Sequence, residues 1–296
     1  MHTKLLGTGV AVITPFTASR EIDFHALEKL INHLINNGVD YLVVQGTTGE
    51  SATTTKEEKQ ALLQFFHEKV QGRVPLVMGI GGNNTNEVLK NLEFFDSSKY
   101  DAVLSVSPYY NKPSQEGIYQ HYKTVARATS KPVILYNVPG RTGSNITAST
   151  TTRLANDVEN IVAIKEASGN LEQISEIIRD KPSDFLVISG DDALTLPMIS
   201  IGAKGVISVV AHVAPKQFSE MVNSALEGTY SKAQAIHLSL LKITQLIFKE
   251  GNPAGVKAAL EIMKIIEKHV RLPLWDISKE LYEEIRKELK KLQIIE

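Results

Sequence analysis

Short apolar runs recur along the chain, separated by segments with helical periodicity. The runs are continuously apolar and do not alternate with polar residues, a pattern typical of parallel strands covered on both faces. They predict eight strands at 9–14, 41–45, 76–80, 102–107, 133–137, 161–165, 185–189 and 205–209.

The intervening segments predict helices. In 24–35 the apolar residues recur at helical spacing, and Asp23 is the predicted N-cap. Thr55 followed by Lys56-Glu57-Glu58 predicts a capping box. Strand and helix therefore alternate eight times, which favours a (β/α)8 TIM barrel over a doubly wound open sheet. Further helices are expected at about 84–98, 114–129, 147–157, 171–180, 192–201 and 215–227.

The pattern changes after residue 228. Strand-like runs cease, and three helical stretches follow at about 231–249, 253–268 and 278–292. We therefore predict a catalytic barrel domain at 1–228 and a C-terminal three-helix extension at 229–296. No low-complexity linker separates them, so we expect the extension to pack on the barrel.

Composition narrows the classes of function. The 296 residues carry 32 Lys and Arg against 33 Asp and Glu, so no basic face for nucleic acid or an anionic membrane is indicated. Cysteine is absent, which excludes disulfides, thiolate nucleophiles and cysteine-ligated metals. No secretory signal and no run of about 18 apolar residues is present, so we expect a cytoplasmic protein that acts on a small molecule.

Lys165 ends the apolar run Ile161-Val162-Ala163-Ile164, where no apolar residue follows to account for it. An ordinary lysine has a pKa of about 10.4, and desolvation by aliphatic neighbours would lower it, as a Schiff-base amine requires. A strand-end lysine that extends into water is the alternative interpretation.

Polar side chains follow several other strands, and the carboxyl ends of barrel strands meet at one face. Thr47 and Thr48 offer hydroxyls and backbone N–H groups to a carboxylate or a proton relay, although a simple turn has the same composition. Tyr136 is either a core residue or a proton carrier partnered by Thr47 and Tyr110. Arg141 has the planar fork that suits a carboxylate, unless it is a surface group.

No metal is required by this set of residues. The histidines lack metal-ligand spacing, and Asp191-Asp192 is explained more simply by a helix N-terminus than by a divalent cation. An imine at Lys165 would supply the electron sink for metal-free carbon–carbon chemistry at a keto acid. This chemistry defines a class I aldolase that needs neither metal nor pyridoxal phosphate.

Several motifs together resemble the dihydrodipicolinate synthase family of pyruvate-dependent class I aldolases. Their order and spacing match over essentially the whole length. The motifs are Gly46-Thr47-Thr48-Gly49-Glu50, Tyr109-Tyr110-Asn111, Tyr136-Asn137-Val138-Pro139, Arg141-Thr142-Gly143 and Lys165-Glu166.

The resemblance implies roles for these side chains. Lys165 would form the imine with pyruvate, and Tyr136 would carry protons beside it. Thr47 would relay protons between Tyr136 and Tyr110, and Tyr110 would reach in from a neighbouring subunit of a homodimer or homotetramer. The implied reaction condenses pyruvate with aspartate 4-semialdehyde to 4-hydroxy-tetrahydrodipicolinate, on the way to diaminopimelate and lysine.

The resemblance also implies the binding groups. Thr47 and Thr48 would hold the pyruvate carboxylate, Arg141 would hold the carboxylate of the second substrate, and the backbone at Gly190 and Ile207 would line the pocket. N-acetylneuraminate lyases of the same superfamily usually have Ser-Thr in the first motif and lack this arginine. Sugar-acid aldolases can share the double threonine, so Arg141 is the main argument for the synthase. A non-catalytic barrel that serves in binding or assembly is the alternative of another class.

An effector pocket is implied as well, with one departure from the family pattern. Members inhibited by lysine often have histidines where this chain has Lys56 and Lys59. Because two ammonium groups repel a cationic effector, we predict weak or no inhibition by lysine, and micromolar inhibition in a steady-state assay would refute this. The residues of the implied pocket are Ser51, Ala52, Lys56, Lys59, Asn83, Glu87 and Tyr109.

Overall fold

The computed structural model describes residues 2–296, with side chains from residue 4 onward. In this part of the chain eight parallel strands close into a barrel in chain order, and β8 pairs with β1. The predicted (β/α)8 barrel is confirmed. The strands are β1 Gly7–Ala11, β2 Tyr41–Val44, β3 Leu76–Gly79, β4 Ala102–Val106, β5 Val133–Asn137, β6 Ile161–Glu166, β7 Leu186–Ser189 and β8 Gly205–Ser208.

Helices connect the strands and extend beyond the last one. The α-helices of residues 2–296 are α1 Phe24–Asn36, α2 Lys56–Val70, α3 Thr85–Phe94, α4 Gln115–Arg127, α5 Pro139–Thr142, α6 Ala148–Asp157, α7 Leu171–Asp180, α8 Thr195–Ser200, α9 Pro215–Leu226, α10 Tyr230–Phe248, α11 Ala254–Ile262 and α12 Lys279–Lys291. Short 3-10 turns lie at His2–Leu5, Thr47–Gly49, Ser97–Lys99 and Val210–His212.

The predicted starts of α1 and α2 are confirmed, whereas the helix expected at 192–201 begins at Thr195 and two other predicted helices end too late. The Asp23 carboxylate accepts a hydrogen bond from the Ala26 N–H at 2.9 Å, and Thr55 and Glu58 form the capping box. The helix expected at 84–98 ends at Phe94, because the backbone becomes extended at Phe95 before a separate 3-10 turn. The helix expected at 253–268 ends at Ile262, and Lys264 then adopts a left-handed conformation with φ of 61°.

Two layers of apolar side chains hold the barrel together. One cluster fills the barrel interior and includes Tyr41, Ile134, Tyr136 and Ile188. The other lies between the strands and the surrounding helices. This outer cluster also contains buried residues of the C-terminal extension: Ala233, Leu240, Ile243, Leu246, Ile247, Leu281, Ile285 and Leu289. The extension therefore packs on the barrel, while the division into domains at residue 228 stays a prediction.

The interior is filled by side chains, so the space for a ligand lies at the carboxyl ends of the strands. A cavity of about 550 Å³ opens there, described below. Throughout residues 2–296, each helix is too short or too polar to serve as a transmembrane segment.

Candidate active site

Lys165 lies in β6, beside Tyr136 of β5. The two residues pair in the strand register, and the Lys165 Nζ lies 4.3 Å from the centroid of the Tyr136 ring. Both side chains are buried, each with 6% of its surface exposed. Within the described residues no carboxylate pairs with the Lys165 amine. The amine is therefore held by its surroundings without an acidic partner, as a nucleophile requires.

Glu166 points to the opposite face of β6, because successive side chains of a strand alternate. Its carboxylate accepts hydrogen bonds from Asn137 Nδ2 at 3.0 and 3.1 Å and from the Ser168 N–H at 2.8 Å. Burial raises the pKa of Glu166, and these hydrogen bonds act against the rise. The bond from Asn137 joins the ends of β5 and β6, so it fixes Tyr136 relative to Lys165.

Gly190 follows β7 and packs directly against the Lys165 side chain. A Cβ atom at this position would lie 3.0 Å from Lys165 Cε and 2.7 Å from the Ala167 Cβ. Both distances are shorter than ordinary carbon contacts. The position therefore has to lack a side chain if Lys165 keeps its place.

We expect Gly190→Ala to slow imine formation with pyruvate about tenfold or more, because the new methyl group displaces the Lys165 stem from its reactive position. The rate of borohydride-trapped adduct, followed by intact-protein mass spectrometry, measures the effect. Gly140→Ala is the control, since a Cβ there meets no atom within 4 Å. Equal trapping rates for the two variants would contradict this account.

The cavity at the carboxyl ends of the strands brings together three of the predicted site residues. Thr47, Tyr136 and Arg141 all line it. Arg141 belongs to the short helix α5, is exposed, and forms no ion pair with any described residue. An unpaired guanidinium at the mouth of a cavity is available to a carboxylate ligand.

Thr48 and Ile207, predicted to bind substrate, and Tyr110, predicted to be catalytic, do not line the cavity. Thr48 is buried behind Thr47, and its hydroxyl oxygen accepts a hydrogen bond from Asn252 Nδ2 at 2.9 Å. Ile207 is buried in the interior cluster below the cavity. Tyr110, in contrast, is 88% exposed and does not meet Thr47 within the chain.

The residues of the implied effector pocket divide into two groups. Four of them share the cavity with Thr47, namely Ser51, Ala52, Lys59 and Tyr109. Burial lowers the pKa of Lys59. Asn83 donates a hydrogen bond to the Tyr109 carbonyl at 3.0 Å. Two exposed members have other partners: the Lys56 Nζ lies 4.0 Å from the Phe94 ring centroid, and Glu87 pairs with Lys90 at 2.8 Å.

The interpretation of Asp191-Asp192 as a helix N-terminus is not confirmed, because α8 begins at Thr195 and its N-cap, Leu194, makes no side-chain hydrogen bond. Asp191 accepts from the Ala193 N–H at 2.9 Å, at the turn before α8. Asp192 is buried and accepts instead from the Val209 and Val210 N–H groups, at 3.0 and 3.2 Å, and from the Ser208 hydroxyl. Burial raises the pKa of Asp192 to about 6, against the effect of these bonds. Asp192 therefore fixes the loop after β8, which the sequence did not predict.

Residues of the C-terminal extension also reach the cavity, and sequence reasoning missed them. Asn252, Pro273 and Leu274 line it. Lys257 of α11 forms a fully buried ion pair with Glu50, directly after the Thr47–Gly49 turn. Burial lowers the pKa of Lys257, against the attraction of Glu50, which raises it.

The barrel holds a buried lysine without an acidic partner beside a tyrosine, and this tyrosine lines a cavity together with an unpaired arginine. This is the architecture of a class I aldolase. The chain belongs to the Dihydrodipicolinate synthetase family, whose model matches residues 4–292. This confirms the resemblance seen in the motifs.

Individual relatives agree with the family over nearly the full length. The chain is 51% identical to the 4-hydroxy-tetrahydrodipicolinate synthase of Parabacteroides distasonis over 98% of each chain. It superposes on the crystal structure of dihydrodipicolinate synthase from Aquifex aeolicus with a TM-score of 0.95, at 43% identity and 98% coverage of both. The chloride-inhibited Acinetobacter baumannii enzyme in complex with pyruvate gives a TM-score of 0.95 at 38% identity, covering 98% of this chain and 99% of that one.

Proposed function

We propose that this chain is a 4-hydroxy-tetrahydrodipicolinate synthase that condenses pyruvate with L-aspartate 4-semialdehyde through an imine at Lys165. The observation that carries the proposal is the unpaired Lys165 amine, 4.3 Å from the centroid of the Tyr136 ring, together with the cavity that Tyr136 and Arg141 both line. The names of the relatives and the pyruvate bound to the Acinetobacter baumannii enzyme support it.

Lys165 attacks the keto carbon of pyruvate, and loss of one water gives the protonated imine. The imine withdraws electrons from the neighbouring methyl carbon, so a proton can leave to give the enamine. Tyr136 is the group placed to move that proton, and Thr47 lies in the same cavity as its proposed relay. The enamine carbon then attacks the aldehyde of the second substrate. The amine of that substrate finally displaces Lys165 and closes the ring.

Arg141 is proposed to hold the carboxylate of the semialdehyde. Its guanidinium lines the cavity without an acidic partner, and a planar fork binds a carboxylate through two charge-assisted hydrogen bonds. The double threonine is proposed to hold the other carboxylate, that of pyruvate. Separate carboxylate sites explain how one cavity orders two acidic substrates.

We expect Arg141→Ala to lower kcat/KM for the semialdehyde about 10- to 100-fold, because two charge-assisted bonds are lost. Borohydride trapping of pyruvate should stay within about twofold of the unmodified chain, since the imine forms before Arg141 is needed. Arg127→Ala, on the exposed face of α4, is the control. Equal loss of both steps would show that Arg141 does not act on the second substrate.

The choice of electrophile is tested by assays with aspartate 4-semialdehyde and with N-acetylneuraminate, each at saturating concentration. We expect turnover with the semialdehyde only. Turnover with N-acetylneuraminate alone would identify a lyase of the same superfamily. If no pyruvate adduct is trapped at all, the barrel is not an aldolase and the proposal fails.

Tyr110 is proposed to complete the site of a second subunit in a homodimer or homotetramer. It is 88% exposed and adopts a left-handed backbone conformation with φ of 73°, which is unfavourable for a residue with a side chain. A side chain held outward in this way suits a partner more than its own cavity. The mass in solution tests the proposal, since a monomeric and fully active chain would exclude it.

Three further expectations accompany the proposed function. We expect a cytoplasmic enzyme without metal or pyridoxal phosphate, since the imine supplies the electron sink. We also expect weak or no inhibition by lysine, because Lys59 shares the cavity with Ser51 and Tyr109. All three remain predictions.

A further inference from the structure

The 3-10 turn Thr47–Gly49 is the part of the cavity wall proposed to hold the pyruvate carboxylate, and several long-range contacts fix it. The Gly49 carbonyl accepts a hydrogen bond from the Thr14 hydroxyl at 2.7 Å. Glu50 ends the turn in a left-handed conformation with φ of 56°. Because this conformation is unfavourable for a side-chain-bearing residue, it has to be stabilised by contacts from elsewhere.

Asn252 contacts this turn from the C-terminal extension. Its Nδ2 donates to the Thr48 hydroxyl oxygen at 2.9 Å, and the residue itself lines the cavity. Since Thr48 accepts in this bond, its own hydroxyl hydrogen stays free to be donated. A carboxylate only accepts, so the direction of the Asn252 bond leaves Thr48 in the orientation that a carboxylate ligand needs.

Lys257 holds the other end of the turn. Its ammonium donates to the Glu50 carboxylate and to the His269 carbonyl, the latter at 2.8 Å, and it lies 4.2 Å from the centroid of the Phe16 ring. The second oxygen of Glu50 accepts from the Arg271 N–H at 3.0 Å. Both oxygens of the carboxylate that ends the turn are therefore held by the C-terminal extension.

We propose that Asn252 and Lys257 are positioning residues for the pyruvate carboxylate, acting through the Thr47–Gly49 turn. The assignment rests on the proposed function and adds to it a role for the helical extension. A fully buried ion pair contributes little net stability compared with apolar residues of the same volume, so stability alone does not account for Lys257. Its contacts converge on the residue that ends the turn, and Thr47 of that turn shares the cavity with Tyr136.

The test measures how the yield of borohydride-trapped adduct depends on pyruvate concentration, using the full chain. We expect Asn252→Ala to raise the half-saturating pyruvate concentration about five- to tenfold, as loss of one buried hydrogen bond predicts. The adduct should still form completely at saturating pyruvate. The KM for the semialdehyde, measured at saturating pyruvate, should change less than about twofold, a split that a general loss of structure would not give.

Three further variants test the direction of the hydrogen bond, its route through Thr48 and the role of Lys257. Asn252→Asp keeps the shape of the side chain but replaces the donor by an acceptor. It should therefore raise the half-saturating pyruvate concentration more than Asn252→Ala does. In a Thr48→Val background, Asn252→Ala should add less than about twofold, because the acceptor has already been removed. Lys257→Met should also raise the half-saturating pyruvate concentration. The control is Lys249→Met, which removes an exposed lysine paired with Glu284.

The outcomes separate this assignment from the proposed function. One outcome is that the unmodified chain traps pyruvate while both Asn252 variants have the same half-saturating pyruvate concentration as that chain. In that case the positioning role is wrong and the proposed aldolase function is unaffected. The positioning role would also be contradicted if the variants impaired pyruvate saturation, the KM for the semialdehyde and kcat to the same extent. Absence of adduct from the unmodified chain overturns the proposed function itself. If Lys257→Met does not fold, the Asn252 variants alone test the positioning role.

Discussion

Replacing Lys165 with methionine is expected to abolish the pyruvate adduct and to lower turnover by at least about four orders of magnitude. Methionine retains most of the buried stem but has no nitrogen, so no imine can form and no electron sink is available. The buried contacts with Gly190 and Tyr136 remain, which keeps the fold close to that of the unmodified chain. Intact-protein mass spectrometry after borohydride treatment with pyruvate measures the adduct, and a coupled assay measures turnover.

Lys242→Met serves as the matched control, because Lys242 is an exposed residue of α10 far along the chain from the barrel strands. It should retain both adduct and turnover. A pyruvate adduct that persists in Lys165→Met, at Lys59 or elsewhere, would show that another amine carries the chemistry. Thermal unfolding of both variants separates lost chemistry from lost structure.

The strand pattern could be predicted because each strand is covered on both faces. Both bounds of the strand predicted at 133–137 were correct, and every residue of β5 is buried. The strand predicted at 9–14 extended too far, since β1 ends at Ala11. Val12 and Ile13 follow the strand but are also buried, so the apolar run continues past the strand end. Apolar runs report burial, whereas strand ends depend on hydrogen bonding. Strand starts were missed as well, since β1 begins at Gly7 and not at 9, and β7 begins at Leu186 and not at 185.

The placement of the site followed from topology. Carboxyl ends of parallel strands meet at one face, so Lys165, Tyr136, Thr47 and Arg141 could be predicted to converge from their positions at the ends of three different runs. Their convergence is seen in the pairing of Tyr136 with Lys165 and in the shared cavity. Which catalytic step each performs stays a prediction from the chemistry of the side chain.

The contribution of the C-terminal extension could not be predicted, because its partners lie far away in sequence. Asn252 and Lys257 contact Thr48 and Glu50 across more than 200 residues. One local signal did exist. Lys257 lies in α11 among residues that are nearly all buried, and a lysine in an apolar helix needs an acidic partner. The sequence alone does not identify that partner as Glu50.

The second large effect is expected for Tyr136→Phe, with kcat lowered about 10²- to 10³-fold. Phenylalanine keeps the ring against which the Lys165 amine lies and removes only the hydroxyl, so the variant separates packing from proton transfer. Imine formation and enamine formation both require proton movement, and both should slow. Steady-state turnover with the two substrates and the rate of the trapped adduct measure these steps.

Tyr119→Phe is the appropriate comparison, since its hydroxyl donates to Asp157 at 2.8 Å on the outer helices. That variant loses a hydrogen bond away from the cavity, so it should cost stability without affecting turnover. If Tyr136→Phe retains kcat within about tenfold, proton transfer does not pass through this hydroxyl. The ring would then serve only to hold Lys165, and the Thr47 hydroxyl would be the next group to test as the proton carrier.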